Sequence, residues 1–133
     1  MRIFTLKKRK YFVQAANGYK AVANGIVIQA AFCLPEQKAD DETCFIGFTA
    51  TKKLGKAHIR NSTKRRLRAL AQIIMPSNAK AKINYIFIGR HNTCKLDFSY
   101  LCRKAITALQ ELHSQMFDSK GADNAPENND CGN

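Results

Sequence analysis

Residues 43–95 contain twelve lysines and arginines and no aspartate or glutamate. This run constrains the fold more than any other feature. A helix inside it has no acids at i±3 or i±4 to offset the repulsion between its cations. Such a helix needs an apolar face to pack on another element, and its charged face must stay open to water or to an anion. The densest part, TKKLGKAHIRNSTKRRLRAL at 51–70, holds eight of the twelve cations. Elsewhere ten cations and ten acids cancel, so the formal net charge of +12 is concentrated in one segment. A localised excess points to an anionic partner, where a merely basic, solvated protein would spread it.

The pattern predicts a helix over 57–74, stopped before Met75-Pro76 because the residue before a proline is pushed out of the α region. At about 100° per residue, with Arg60 at zero, Lys64 falls near 40°, Arg68 near 80°, Asn61 near 100° and Arg65 near 140°. Ile59, Leu67, Leu70 and Ile74 fall between about 260° and 340° on the same wheel. One side is therefore core-facing and the other is a cationic strip. Arg66 and Ser62 lie on the flank nearer the apolar side. Arginine dominates the strip, and its fork suits bidentate phosphate contacts. Lys52, Lys53 and Lys56 extend the strip towards the helix N-terminus, whose free N–H groups also favour anions.

Around this helix, Thr5 is a candidate cap for a first helix over 6–16, ended by Asn17-Gly18. Asn24-Gly25 reads as a turn between a short strand at 21–23 and an apolar, β-branched strand at 26–33. An acidic loop at 35–43 precedes a third strand at 44–51, in which Gly47 marks a bulge or a close approach by another chain. KINYIFIG at 82–89 reads as a buried fourth strand. Asp97 or Ser99 caps a last helix with an apolar stripe of Phe98, Leu101, Cys102, Ala105, Leu109, Leu112 and Met116. The expected architecture is a single α+β domain over 1–117, ordered α-β-β-β-α-β-α, with helices against a small, mostly antiparallel four-stranded sheet. Residues 118–133 lack large apolar side chains and are expected to form a disordered tail.

Several functions fit poorly. The five cysteines show no C-x-x-C pair and no zinc spacing with His58, His91 or His113, so no protein-bound metal is expected. Their odd number suits free thiols in a reducing, cytoplasmic setting, and no stretch suits a signal peptide or a membrane span. A self-sufficient nuclease needs a carboxylate cluster or an acid–base pair, and the basic segment has no carboxylate, so no catalytic residue is assigned. A helix-turn-helix DNA binder would expose a similar helix, but no partner helix precedes residue 57. Aromatic residues near the cations favour single-stranded RNA; Tyr11 and Phe12 stand beside Lys7, Lys8, Arg9 and Lys10. By periodicity alone Phe12 reads as a core residue.

TATKKLGKAHIRNSTKRRLRAL resembles the signature of the bacterial ribonuclease P protein family. There a strand ending in Lys-Lys leads through Gly-Asn-Ala into Arg-Asn-Arg, then Lys-Arg and a further Arg. The matching residues are Lys52, Lys53, Gly55, Ala57, Arg60, Asn61, Lys64, Arg65 and Arg68. LKKRKYF resembles the family's first helix, and IFIGR its fourth strand with a terminal arginine. Lys56, His58 and Ser62 depart from the pattern, and Ala16 and Ala30 fall where some members carry aromatics lining a central cleft.

The resemblance implies the protein subunit of an endonucleolytic ribonucleoprotein hydrolase that removes the 5′ leader from precursor tRNA. It implies a catalytic RNA partner that holds the reaction's magnesium ions, and a left-handed crossover carrying the basic helix. No obligate protein partner is called for. Arg65 and Arg68 are expected on catalytic-RNA phosphates, and Arg60, Asn61 and Lys64 at the junction with the leader. Lys52, Lys53 and Arg90 are expected along the leader path, with Phe12 as its apolar or stacking surface and Arg9 a weaker addition. The alternative is a ribosomal-type RNA-binding protein or an RNA chaperone.

Overall fold

A computed structural model describes residues 1–117; the tail expected over 118–133 lies outside them. Five strands form one mixed sheet in the order β1-β4-β5-β3-β2. They are β1 (Arg2–Thr5), β2 (Tyr19–Ala23), β3 (Ile26–Phe32), β4 (Thr43–Thr49) and β5 (Ile83–Gly89), with helices α1 (Arg9–Ala16), α2 (Ala57–Asn78) and α3 (Phe98–Phe117). The α+β class and the three helices match expectation, while the sheet has one strand more.

The extra strand also changes the sheet's character. β1 pairs parallel with β4, and β4 with β5; β5–β3 and β3–β2 are antiparallel. Two of four pairings are parallel, so the sheet is mixed rather than mostly antiparallel. β1 is only four residues long and pairs with a strand some forty residues away, so no local turn announces it. Its pairing continues into the Leu6 N–H, which donates to the Ile46 carbonyl at 2.8 Å. Thr5 is thus a strand residue and caps nothing; α1 starts at Arg9, after Lys8, with no side-chain cap.

Helices cover both faces. α2 and α3 pack on Ile26, Ile28, Ala30, Cys44, Ile46, Tyr85 and Phe87, while α1 covers Ile86 with Tyr11 and Ala15. β5 is therefore buried on both sides, and its sequence is a nearly continuous apolar run. Asn84 is its polar exception and is fully buried. Its Nδ2 donates to Gln14 Oε1 on α1 and to Gln37 Oε1, both at 2.9 Å, and its Oδ1 accepts from Gln37 Nε2 at 2.7 Å. This network fixes α1 against the sheet and the loop before β4.

α2 does not stop at Ile74 but runs through Pro76 to Asn78. Ile74 and Met75 are buried, and that packing outweighs the proline's local preference. The last turn is closed by the Ala79 N–H on the Met75 carbonyl at 2.8 Å and by Asn78 Nδ2 on the Ile74 carbonyl at 2.7 Å. For α3 the cap is Asp97, whose carboxylate accepts from the Tyr100 N–H at 3.2 Å. Cys33 and Cys44 carry thiols pushed up to about 11 by burial, so both are protonated at neutral pH; Cys44 acts as a small apolar group, while the Cys33 thiol donates to Asn84 Oδ1 at 3.4 Å. Among the described residues no helix is long and apolar enough to cross a membrane.

Candidate nucleic-acid interface

β4 and β5 run in the same direction and end side by side, Thr49 paired with Ile88. Beyond β4 the chain makes a single 3-10 turn, Lys52–Leu54, and enters α2; beyond β5 comes Arg90. Lys52, Lys53 and Arg90 are all exposed at this end of the sheet. Gly55 links the turn to α2 with φ 124°, a conformation that side chains rarely adopt. Its carbonyl accepts from Arg60 Nη1 at 2.7 Å, which ties the first strip residue back to the entry loop. The first turn of α2 has neither an acidic residue nor a side-chain cap, so its N–H groups remain available to an anion.

Along α2, Asn61, Arg65 and Arg68 are exposed and Arg60 and Lys64 half-buried, while Leu67, Leu70 and Ile74 are buried. The wheel is right for these residues. Ile59, expected in the core, is 40% exposed, because the first turn projects past the sheet. Thr63 takes the buried place instead, its hydroxyl donating to the Ile59 carbonyl at 2.9 Å. Arg66 is not part of the strip: Nη2 donates to the Leu96 carbonyl at 2.6 Å, and its guanidinium lies 5.4 Å from the Phe98 ring centre. It clamps α2 to the segment before α3.

No ion pair among the described residues involves a cation of the strip. The four that form use Glu36, Asp40, Asp41 and Glu42, engaged with Lys10, Arg2, Lys82 and the N-terminal amine. These acids sit where β4 begins, at the opposite end of that strand from Lys52 and Lys53. Proximity within the fold therefore does not cancel the strip's charge.

An open cleft of about 460 Å³ lies between α1 and the end of β4, lined by Lys7, Arg9, Phe12, Val13, Ala16 and Thr49. Phe12 is half-buried and lies on Gly47, where a Cβ would come within 2.6 Å of the ring. The close approach at Gly47 comes from Phe12 of the same chain, and not, as expected from the sequence, from another chain. Phe12 serves both readings, as packing against the sheet and as cleft lining. Ala16 lines the cleft, but Ala30 is fully buried in the core on the α2–α3 face and cannot. Val13 and Thr49 escaped the sequence reading, and Lys7 was noted there only as a cation beside the aromatics; Arg9, Val13 and Ala16 follow three- and four-residue steps, which marks them as one helix face.

His58 and His91 are exposed. Among the described residues no group of three or more His, Cys, Asp or Glu gathers that could hold a metal ion. The arrangement offers charge, hydrogen-bond donors and an apolar cleft.

Fold and site together define a small basic α+β protein that aligns its unneutralised charge along one helix beside an open cleft, a surface shaped for a polyanion. The family model for ribonuclease P matches residues 2–113. The ribonuclease P protein component of Caulobacter vibrioides (strain NA1000 / CB15N) is 36% identical over 111 residues, covering 84% of this chain and 72% of the relative. That of Paramagnetospirillum magneticum is 35% identical over 114 residues, covering 84% of each. The RNase P protein from Thermotoga maritima shares the fold, with a TM-score of 0.65 at 20% identity over 80% of this chain and 96% of that one. The chain belongs to the ribonuclease P protein family. Membership implies a part in tRNA 5′ processing and association with an RNA subunit.

Proposed function

We propose that this chain binds the catalytic RNA of ribonuclease P along α2 and holds the single-stranded 5′ leader of precursor tRNA in the cleft beside α1. The observation that carries this reading is the strip of Arg60, Lys64, Arg65 and Arg68, free of carboxylate partners among the described residues and borne by the helix entered from the end of β4, where Thr49 lines that cleft. Arg65 and Arg68, the outermost cations, contact phosphates of the catalytic RNA. Arg60, Asn61 and Lys64 lie nearer the cleft and act where that RNA meets the leader. Lys52, Lys53 and Arg90 line the leader path, joined by Lys7 and Arg9, while Phe12 and Val13 give the bases an apolar surface.

Hydrolysis then belongs to the RNA subunit and its magnesium ions, which activate water and stabilise the leaving oxygen. The chain's contribution is to neutralise phosphates and fix the leader's path, within the cytoplasm. The test compares precursor tRNAs carrying leaders of several nucleotides with ones trimmed almost to none, bound to the reconstituted holoenzyme. Tighter binding of the long leaders supports the reading; equal affinity favours a general RNA chaperone. Accurate 5′ cleavage by the protein without RNA would overturn the division of labour.

A further inference from the structure

A second groove, of about 330 Å³, opens between the edge strand β1 and the C-terminal half of α2, on the opposite face of the sheet from the leader cleft. Ile46, Phe48 and Met75 make its apolar floor, Arg68 forms one wall, and Thr5 and Gln72 stand at its rim. Its volume lies at the small end of the range for small-ligand pockets, roughly 300–1,000 Å³. We propose that the groove receives one unstacked nucleobase of the RNA whose backbone lies on the α2 strip. This rests on the RNA-binding reading of α2 given above.

Three observations favour a base as the occupant. The first is continuity: Arg68 belongs to both strip and groove, so a phosphate on its outer side leaves the attached base next to the opening. The second is an aromatic surface at the right place. The Arg68 guanidinium lies 5.7 Å from the centre of the Phe48 ring, and Phe48 is only half-buried. A guanidinium plane and an aromatic face are the two surfaces on which proteins stack unpaired bases.

The third is unspent hydrogen-bonding capacity around an apolar floor. Among the described residues neither the Thr5 hydroxyl nor the Gln72 side-chain amide has a hydrogen-bond partner. Pro76 lies four residues after Gln72 and has no N–H, so the Gln72 carbonyl lacks its α-helical donor. A hydroxyl, an amide and a carbonyl without its i+4 donor can meet the donors and acceptors on a base edge. An aliphatic side chain from a protein partner would make none of these hydrogen bonds.

The experiment uses the full chain assembled with the ribonuclease P RNA transcribed from the same genome, and Gln72→Trp, which places an indole across the opening. Gln72 is exposed, so the variant is expected to keep the native melting temperature; Gln72→Ala with Thr5→Ala provides a version that removes contacts without adding bulk. Hydroxyl-radical footprinting reports the RNA backbone, and base-selective alkylation reports each base edge. The expected result is one base protected by the native protein and exposed in both variants. The backbone footprint of α2 persists, and RNA affinity falls roughly tenfold, as expected for losing one stacked base. A persistent footprint with no change at any base overturns the proposal and leaves the RNA reading standing. A native protein that gives no backbone footprint overturns both.

Discussion

Arg65 and Arg66 are sequence neighbours of the same type, and the structure gives them opposite surroundings. Arg65 is exposed and unpaired among the described residues, whereas Arg66 is tied to the Leu96 carbonyl and stacked against Phe98. Replacing both Arg65 and Arg68 by alanine removes two of the four strip cations. Each phosphate contact contributes about 0.7–0.9 to the slope of log affinity against log salt. Four contacts give a slope of about −3, and the double variant halves it. Raising salt from about 50 to about 200 mM should weaken the native complex with the RNA subunit by roughly 50–150-fold, but the variant by only about 7–12-fold. Arg66→Ala should leave the slope unchanged. It should instead cost about 1.5–3 kcal/mol of folding stability, the usual worth of hydrogen bonds from a charged donor, and lower Tm by several degrees. Filter-binding titrations across the salt series and thermal melts of the same preparations decide the matter. If Arg66→Ala flattens the slope as much as the double variant does, α2 binds RNA by a different face. An unchanged slope in the double variant removes Arg65 and Arg68 from the interface.

Gly47→Ala should displace the Phe12 ring, because the new methyl would sit within 2.6 Å of it; a loss of about 1–3 kcal/mol in urea unfolding and weaker binding of long-leader precursor are expected together. Phe12→Ala should weaken precursor binding while leaving assembly with the RNA intact, as measured by leader-length titrations; a fall in stability alone would make Phe12 only a core residue. His113 is held down to about 4, first by burial and then by Lys80, and its Nε2 lies 2.6 Å from the Tyr85 hydroxyl, which itself accepts from the Lys80 N–H. The unfolded chain therefore binds more protons between about 4 and 6.5, so stability should be full above that window and fall as pH drops through it; His113→Gln should abolish that part of the pH dependence in denaturant titrations. Asn84→Leu should be among the most destabilising single changes, on the order of 2–4 kcal/mol, because it strands the Gln14 and Gln37 amides at a buried site.

The cationic face of α2 was more legible in the sequence than the sheet was. The α2 strip follows from helical spacing, a local property, and every strip residue expected outside is at least partly exposed. The errors are non-local. β1 is stabilised by parallel pairing with a distant strand, and Thr5 therefore looked like a cap. Pro76 looked like a stop because the burial of Ile74 and Met75 depends on α3 and the sheet rather than on neighbouring residues. Ile59 was misplaced because a wheel contains no information about where the supporting sheet ends. The partnership of Phe12 with Gly47 needed tertiary contact to be seen, although the glycine hinted that something approached it.

The topology also explains why, among the described residues, no acid cancels the cations of the strip. Every β4 residue separates the loop that precedes it from the turn that follows, and the acids Glu36, Asp40, Asp41 and Glu42 are all in the former. Seven residues of extended strand, at about 3.3 Å each, place that cluster roughly 20 Å or more from Lys52 and Lys53. This distance exceeds the Debye length at physiological salt, about 8 Å, so the acid loop neither attracts nor screens the strand-end cations appreciably. α2 then returns antiparallel to β4, with its cationic N-terminal turns at the far end and its uncharged C-terminal half, from Ala69 to Asn78, nearest the acids. Reversing that order along the helix would bring arginines within reach of the loop carboxylates and consume the charge the interface needs. If α2 binds RNA as proposed, this separation of acid from base along β4 is a condition for it, and Ala69→Glu with Gln72→Glu should weaken assembly with the RNA subunit in filter binding while leaving the hydrophobic contacts of α2 untouched.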